Sequence, residues 1–434
     1  MYFCIHNTHD SDMRVLIVNT SERTGGAAVA ASRLMEALNN NGVKARMLVR
    51  DKQTDRLTVC ALPRQRRSRW HFLLERLAIW CSLGLRWRNL FAVDTGRCGT
   101  DITRLPEFQE ADVIHLHWVN QGMLSLRDIR RILDSGKRVV WTMHDIWPAT
   151  ALCHLTLDCR RFETACCHCR LLPGGGGAND LAARIWRRKR QMLSGRHITY
   201  VACSQWLAGE ARRSALLQGQ QVVSIPNPID TRVYSPGSRQ SARRSLGLPA
   251  EGHVILFASQ RVTNQYKGMS YLVEACRLLA GRHPDLSAAV SVAILGGHAE
   301  EVVSQLPFQA YPLGYVNDER RIVEVYRAAD VFVLPSLSEN LPNTIMEAMA
   351  CGVPSVAFRV GGIPEEIDHQ QNGYVADYRS ADDLAQGIWW ALFEADRESV
   401  SKACLQKVAH CYSQQSVAQR YLEIYESHDH HHHL

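Results

Sequence analysis

The feature that constrains this chain most is a repeated alternation of short β-branched apolar runs with stretches of helical spacing. Such alternation folds as parallel sheet flanked by helices, because parallel strands need a crossover and a helix covers the sheet face as it crosses. In the first half, strands are expected at Met13–Asn19, Ala45–Val49, Val113–Trp118, Arg138–Thr142 and Thr199–Cys203. A helix is expected from about Ala27 to Asn39, with Ala31, Leu34 and Leu38 on one face and Asn40, Asn41 and Gly42 ending it. Two prolines interrupt the pattern at 225–230, and it then restarts. Strands follow at Val254–Ala258, Val290–Leu295 and Val331–Leu334, with helices near Met269–Ala280, Glu319–Ala328 and Asn343–Met349. The expected class is α/β, with doubly wound domains at 13–227 and 228–412 and a C-terminal helix at 413–428 crossing back to the first domain. A length of 434 residues agrees with that division, at about 100–200 residues per domain.

Composition narrows the class further. With 46% hydrophobic and 21% charged residues, the chain is an ordinary globular protein and not a disordered one. It has no apolar run of the roughly 18 residues that a membrane-spanning helix needs. Residues 1–12 lack a charged-then-apolar leader pattern, and Met13, opening the first strand, is an alternative start of translation. The His-rich 428–434 run is set aside from the fold argument. These readings place the protein in the cytoplasm, where its 14 cysteines stay reduced. Net charge is +7, and the excess of Lys and Arg lies before residue 228, whereas acids outnumber bases beyond it. A basic half points to an anionic partner. No nucleic-acid module accompanies the charge, so nucleic acid is not expected.

The richest segment runs from Leu334 to Pro354. A strand ends at Pro335, a polar loop carries Glu339, and a helix starts near Asn343 with Glu347 one turn in. Open α/β sheets bind ligands at the carboxyl ends of their strands, and a helix start suits phosphate. Two carboxylates there can accept charge-assisted hydrogen bonds from ligand hydroxyls. After the first strand of the second domain come Arg261 and Lys267, a planar fork and a point charge suited to a diphosphate. In the first domain, Gly25 and Gly26 join strand to helix and let backbone approach a ligand. The loop is neither GxGxxG nor GxxxxGK[ST], so dinucleotide and P-loop readings are set aside. His144 and Asp145 end another strand, with Asp145 placed to orient His144.

The spacing Glu339-x7-Glu347, followed by Ala-Met-Ala-Cys-Gly-Val-Pro, resembles the signature of the family 4 retaining glycosyltransferases of the GT-B fold. The likeness continues through Phe358–Glu365 and Asn372–Tyr374 and covers nearly all of 228–400, with a looser match in the first half. The resemblance implies two Rossmann-like domains facing across a cleft and a nucleotide-diphospho-sugar donor. The acceptor would be a glycan or lipid-linked glycan of cell-surface polysaccharide synthesis. It assigns Glu339 to the donor sugar, with backbone N–H groups around Asn340, Leu341 and Pro342 in support, and Glu347 to the nucleotide ribose. Arg261 and Lys267 would stabilise the leaving diphosphate, and the Gly25–Gly26 loop would face the diphosphate and acceptor. His144 would contact the donor sugar and assist departure without acting as a general base. Asn340 stands where many members carry Gly, and the Arg261–Lys267 spacing is one residue longer than in many relatives. No catalytic metal is implied.

Cys153-x5-Cys159-x6-Cys166-x2-Cys169 follows directly, a set of thiols whose spacing suits a structural, tetrahedral Zn²⁺. Cys167 and His154 are close by, and a subgroup of bacterial family members looks similar here. Free or redox thiols are the other reading. The segment 63–91 is basic and aromatic and too charged to span a bilayer. It is read either as a peripheral contact with the inner membrane face or as an amphipathic helix of the core with a solvated basic face. Two further functions stay open at this level. One is a nucleotide-sugar epimerase of the same fold, told apart by its product. The other is an inactive, zinc-stabilised binding protein of the membrane surface, against which the intact charged residues argue.

Overall fold

A computed structural model describes residues 13–63 and 65–427, so Met13 is described, whereas residues 1–12 and the His-rich run lie outside the described residues. The chain forms two compact units, one reaching to Pro228 and resuming at Val417, the other Ile229–Ser416. The second division falls inside the helix Gln414–Glu426.

The first unit holds a seven-stranded parallel sheet of β1 (Arg14–Ser21), β2 (Lys44–Asp51), β3 (Val59–Ala61), β4 (Val113–Leu116), β5 (Arg138–Met143), β6 (Thr199–Ala202) and β7 (Gln221–Ser224), in the order β3-β2-β1-β4-β5-β6-β7. The second unit holds six parallel strands, β8 (His253–Arg261), β9 (Val290–Gly297), β10 (Gln309–Gly314), β11 (Val331–Leu334), β12 (Ser355–Phe358) and β13 (Gly373–Ala376), in the order β10-β9-β8-β11-β12-β13. Each sheet winds outward in both directions from a central pair, β1/β4 and β8/β11, and there the crossovers part and leave a crevice.

The strands form where apolar runs are buried on both faces, as in Val254–Ala258, all buried, and Val331–Leu334, at most 2% exposed. Five strands escape the sequence reading: β3, β7, β10, β12 and β13. Four of the five hold only three or four residues, and β10 alternates buried and exposed positions around a proline. Their pairing with a neighbouring strand, rather than their own pattern, makes them strands.

Helix α1 (Gly26–Asn39) buries Ala31, Leu34, Met35 and Leu38 against β1 and β2. The same core takes Val417, Ala418, Tyr421 and Tyr425 from the C-terminal helix. Polar groups fix that packing. The buried His115 imidazole meets Tyr425 Oη at 2.7 Å and Thr142 Oγ1 at 2.7 Å, and Thr142 Oγ1 meets Tyr421 Oη at 2.8 Å. Burial holds His115 down to about 3, so it is neutral there.

Candidate functional site

In the second unit, the loops after β8 and β11 meet through backbone. Gly268 adopts φ +73°, and a Cβ there would run into the Pro335 carbonyl. Only glycine allows both the left-handed turn and that approach. Leu337 N donates to the Tyr266 carbonyl at 2.8 Å and stitches the two loops. On the other flank, Gly361 (φ +56°) lies against the Glu339 carbonyl, and Gly362 N donates to the Asn340 carbonyl at 2.7 Å.

Lys267 Nζ therefore reaches Glu339 Oε1 at 2.7 Å, although 72 residues separate them in the chain. The lysine side chain stays one-third exposed and the carboxylate 13% exposed, so the pair faces outward from a formed wall. Arg261 ends β8 just past a register shift and is exposed, its Nε donating to Thr263 Oγ1 at 3.1 Å. It is not drawn into the Lys267–Glu339 pair; as an exposed cation at the same strand end it is placed for an incoming anion. Glu347 lies on the helix Asn343–Ala350 and is 8% exposed, so its carboxylate is more enclosed than that of Glu339. Leu341 is buried, and Pro342 occupies the N-cap position with no side-chain cap. Proline carries no N–H, so of the three positions expected to lend backbone donors only Asn340 and Leu341 qualify.

Behind this wall sits Glu366, which sequence reasoning missed. It is fully buried, and neither carboxylate oxygen has a partner among the described residues. Burial pushes its pKa well above the carboxylate range, with the charges of Glu339 and Glu365 adding to the effect. Glu366 is thus a neutral acid electrostatically linked to Glu339.

In the first unit, β1 leads through Thr20–Thr24 to Gly25 (φ +91°) and α1, whose first turn has no side-chain cap. A Cβ at Gly25 or Gly26 would meet nothing within 4 Å, so the helix start is unobstructed. Glu22 braces this loop from within by accepting from Gln53 N at 2.6 Å and Thr54 N at 2.9 Å.

His144, just past β5, meets His117 Nδ1 through its Nε2 at 2.8 Å, and its Nδ1 faces Cys203 Sγ at 3.7 Å. Burial lowers it to about 4 despite the nearby Asp145 charge, so it works as a neutral imidazole. Asp145, expected to orient His144, has its oxygens engaged elsewhere. It accepts from Trp147 N (2.9 Å), Trp118 Nε1 (3.0 Å) and His154 Nδ1 (2.7 Å). His117 takes over the orienting contact. The only sequence signal for it was its place at the end of β4, two residues after His115. His154 bridges Asp145 and Asp94, the latter through Nε2 at 2.8 Å. Burial opposes its charge, but Asp145 and Asp94 overrule burial and lift it to about 10.

The cysteine loop is tied to this cluster, since Cys153 pairs with Val93 in an isolated bridge and Asp94 N donates to the Leu152 carbonyl at 2.9 Å. Burial raises Cys153 to about 11 and Cys166 to about 12, and it raises Cys169 as well. Cys159 and Cys169 act electrostatically on Cys153, and Cys153 and Cys159 act on Cys166, so the four thiols share one neighbourhood. Lys189 is buried beside them, its Nζ donating to the Trp147 carbonyl at 2.6 Å, and burial lowers its pKa to about 7. Among the described residues, the set of three or more ligand atoms lying mutually within 4.8 Å is His298, Glu300 and Glu301, all exposed. The four sulfurs are therefore neighbours in a wider arrangement than a closed metal cage. Their donor chemistry fits Zn²⁺, which binds thiolates and would reverse the burial-driven protonation.

A family model described as Glycosyltransferase Family 4 matches residues 24–233, and one described as Glycosyl transferases group 1 matches 252–393. A D-inositol 3-phosphate glycosyltransferase of Saccharomonospora viridis is 31% identical over 216 residues, covering 47% of this chain and 49% of that protein. The chain thus spans about half the length of that curated relative. A sucrose-phosphate synthase from Thermosynechococcus elongatus superposes with TM-score 0.63 at 18% identity, covering 95% of this chain and 98% of the other. The Anabaena protein HepE, solved with UDP-glucose, superposes with TM-score 0.60 at 16% identity, covering 95% and 99%. At these identities the superpositions establish the fold, which is GT-B.

Proposed function

The chain belongs to the family 4 glycosyltransferases, and from that premise we propose that it is a retaining enzyme. It would move a sugar from a nucleotide-diphospho-sugar to a glycan or lipid-linked glycan in cell-surface polysaccharide synthesis. The observation that carries this reading is the Lys267–Glu339 pair, a cation and an acceptor presented together at the carboxyl edge of the second sheet. HepE is solved with UDP-glucose, which supports a nucleotide-sugar as donor.

In the proposed reaction the bond from the anomeric carbon to the diphosphate oxygen breaks, and the acceptor hydroxyl attacks from the face that the diphosphate leaves. The acceptor proton passes to the departing phosphate oxygen. Lys267 and Arg261 meet the charge that develops there, an interaction stronger in the transition state than in the ground state. Glu339 holds donor-sugar hydroxyls, with Asn340 and Leu341 N–H groups beside it, and Glu347 holds the ribose. His144, as a neutral imidazole, would contact the sugar by exchanging one of its partners, His117 or Cys203, for a sugar hydroxyl. The Gly25–Gly26 turn would let an anionic part of a ligand approach the backbone N–H groups at the start of α1. The proposed reaction requires no catalytic metal. Cys153, Cys159, Cys166 and Cys169 are proposed to close around one structural Zn²⁺, which would bind without an open position.

The test is a screen of the purified chain against UDP-, GDP-, ADP- and dTDP-sugars by thermal shift and mass spectrometry. Stabilisation by one donor, with slow release of sugar and nucleotide, supports the reading. Conversion of the donor sugar to its epimer without acceptor would replace it with an epimerase, and silence from every donor would remove it. Elemental analysis checks the metal: one zinc per chain is expected, and none after Cys166→Ser with Cys169→Ser.

A further inference from the structure

The helix α2 (Gln65–Ser82) is built inside out. In its middle, the charged Glu75 and Arg76 point into the protein beside the buried Ile79, whereas Arg66, Arg67 and Arg69 of its first turns are exposed. Glu75 is 1% exposed, and its carboxylate accepts from the backbone N–H groups of Thr95, Arg97 and Cys98 at 3.0, 3.1 and 3.0 Å. Arg76 is 6% exposed, donates to the Leu90 carbonyl at 2.6 Å and pairs with Asp94. Large apolar side chains point out instead. Trp70, Leu73, Leu74 and Leu77 are 63, 53, 48 and 53% exposed, at the spacing that aligns residues into one stripe of a helix. The turn after the helix continues the face with Leu85, Trp87 and Phe91 at 58, 76 and 63%. Seven of the fifteen exposed large hydrophobic side chains among the described residues thus fall within 70–91. Scattered apolar side chains need no explanation, but a contiguous face does.

The charge around this face is of one sign. Between Asp55 and Asp94 the only acid is Glu75, which is turned inward, whereas Arg66, Arg67, Arg69, Arg86 and Arg88 are all exposed. The arginines bracket the apolar stripe at both ends. An apolar middle with cationic ends complements the acyl boundary and phosphate layer of an anionic bilayer. A spanning helix is excluded, since no described helix is long and apolar enough to cross a membrane.

The helix is also fastened to the working edge of its sheet. Gly122, six residues beyond β4, adopts φ +81°, and a Cβ there would meet Phe72 N at 2.6 Å. Arg50, near the end of β2, lies over the Phe72 ring at 5.3 Å and donates to the Gln121 carbonyl. The apolar face and the carboxyl ends of β2 and β4 therefore belong to one rigid piece.

We propose that the outer face of α2, with the turn through Phe91, is the surface on which this protein rests on an anionic lipid bilayer, bringing the carboxyl edge of the first sheet to acceptors carried in that bilayer. The acceptor clause rests on the glycosyltransferase reading; the lipid contact does not.

The experiment is co-sedimentation of the full chain with phosphatidylcholine vesicles, with and without phosphatidylglycerol, across a salt series. The protein is expected to partition at least about tenfold more strongly onto the anionic vesicles, and less so as salt screens the arginines. Leu73→Ser with Leu74→Ser and Leu77→Ser should lower binding about tenfold at every salt concentration. Arg66→Ser with Arg67→Ser and Arg69→Ser should abolish the preference for anionic lipid. These side chains lie outside the donor site, so both variants should melt and hydrolyse donor like the wild type. Failure of the wild type to bind anionic vesicles would overturn the proposal, even with donor turnover intact. So would binding that survives both variants. Concentration-dependent self-association, lost in the leucine variant while vesicle binding is absent, would assign the face to a second copy and equally overturn it. A protein that binds vesicles but turns over no donor would keep the lipid contact and sink the transferase reading.

Discussion

The two sheets share one topology yet arrange the ends of their central strands differently. After β8 and β11, the Lys267–Glu339 pair faces outward and stays partly exposed. After β4 and β5, polar groups turn on one another, His144 on His117 and Asp145 on His154, Trp118 and Trp147. A site for a charged ligand needs groups whose partners can be exchanged. A site that presents a fixed surface needs groups already satisfied. Under the proposed function, the difference places charge-bearing chemistry in the second unit and positioning in the first.

The sharpest way to break this contrast is by activity. Glu339→Gln and Lys267→Ala are each expected to lower transfer by about 10²–10³-fold, the loss seen when one transition-state contact is removed. Their melting midpoints should barely move, because a partly exposed ion pair contributes only about 0–1 kcal/mol. A steady-state rate and a thermal scan on the same samples decide it; full turnover in either variant removes the second unit from the chemistry.

His154→Ala should do the reverse. It leaves two enclosed carboxylates without their shared partner, and breaking a buried pair costs about 3–5 kcal/mol. Denaturant unfolding should show that loss in the first unit, whereas donor-induced stabilisation of the second unit persists. A loss below about 1 kcal/mol would mean that the cluster is no more closed than an exposed pair.

Glycines offer a finer comparison. Gly268→Ala forces a left-handed residue against the Pro335 carbonyl, so it should cost about 1–3 kcal/mol and displace Lys267. Gly25→Ala meets open space, but at φ +91° and ψ 163° it holds a conformation nearly confined to glycine, so it should cost about 1–3 kcal/mol of backbone strain with no clash and no displacement of Lys267. Full transfer activity in Gly268→Ala would show that the close approach to Pro335 carries no weight.

The smallest effect concerns Glu366. Its folded pKa is raised, so above the ordinary carboxylate range the folded state retains a proton that the unfolded chain has released. Stability therefore falls as pH rises from about 4.5 toward the raised value. Glu366→Gln removes the proton exchange, and its melting midpoint should gain on the wild type steadily between pH 5 and 8. A constant offset across that range would show that Glu366 is ionised when folded.

Much of the candidate site was legible as local pattern. Glu339 and Glu347 flank a helix start, Arg261 and Lys267 follow a strand, and Gly25–Gly26 precede α1. The contacts among residues far apart in the chain were not legible. Glu339 meets Lys267 only because Gly268 and Gly361 let three loops close, and each of those glycines alone reads as an ordinary turn. His117 replaced Asp145 as the partner of His144, because a side chain at a strand end is chosen by the neighbouring strand and not by the next residue. The basic, aromatic segment was visible in the sequence, but which side of α2 faced inward was not. Hydrophobic spacing predicts the apolar stripe buried, whereas Glu75 and Arg76 anchor the opposite side to the 94–98 loop.

The sequence by itself determined that this chain folds as two parallel α/β sheets, because strand and helix periodicities are written locally and the crossover rules leave few alternatives. It also determined which residue types stand at the strand ends. Only the tertiary structure decided which of those side chains meet, which are enclosed and which remain open. Hydrogen-bond partners and burial are properties of space, set by close approach between segments that no local pattern connects.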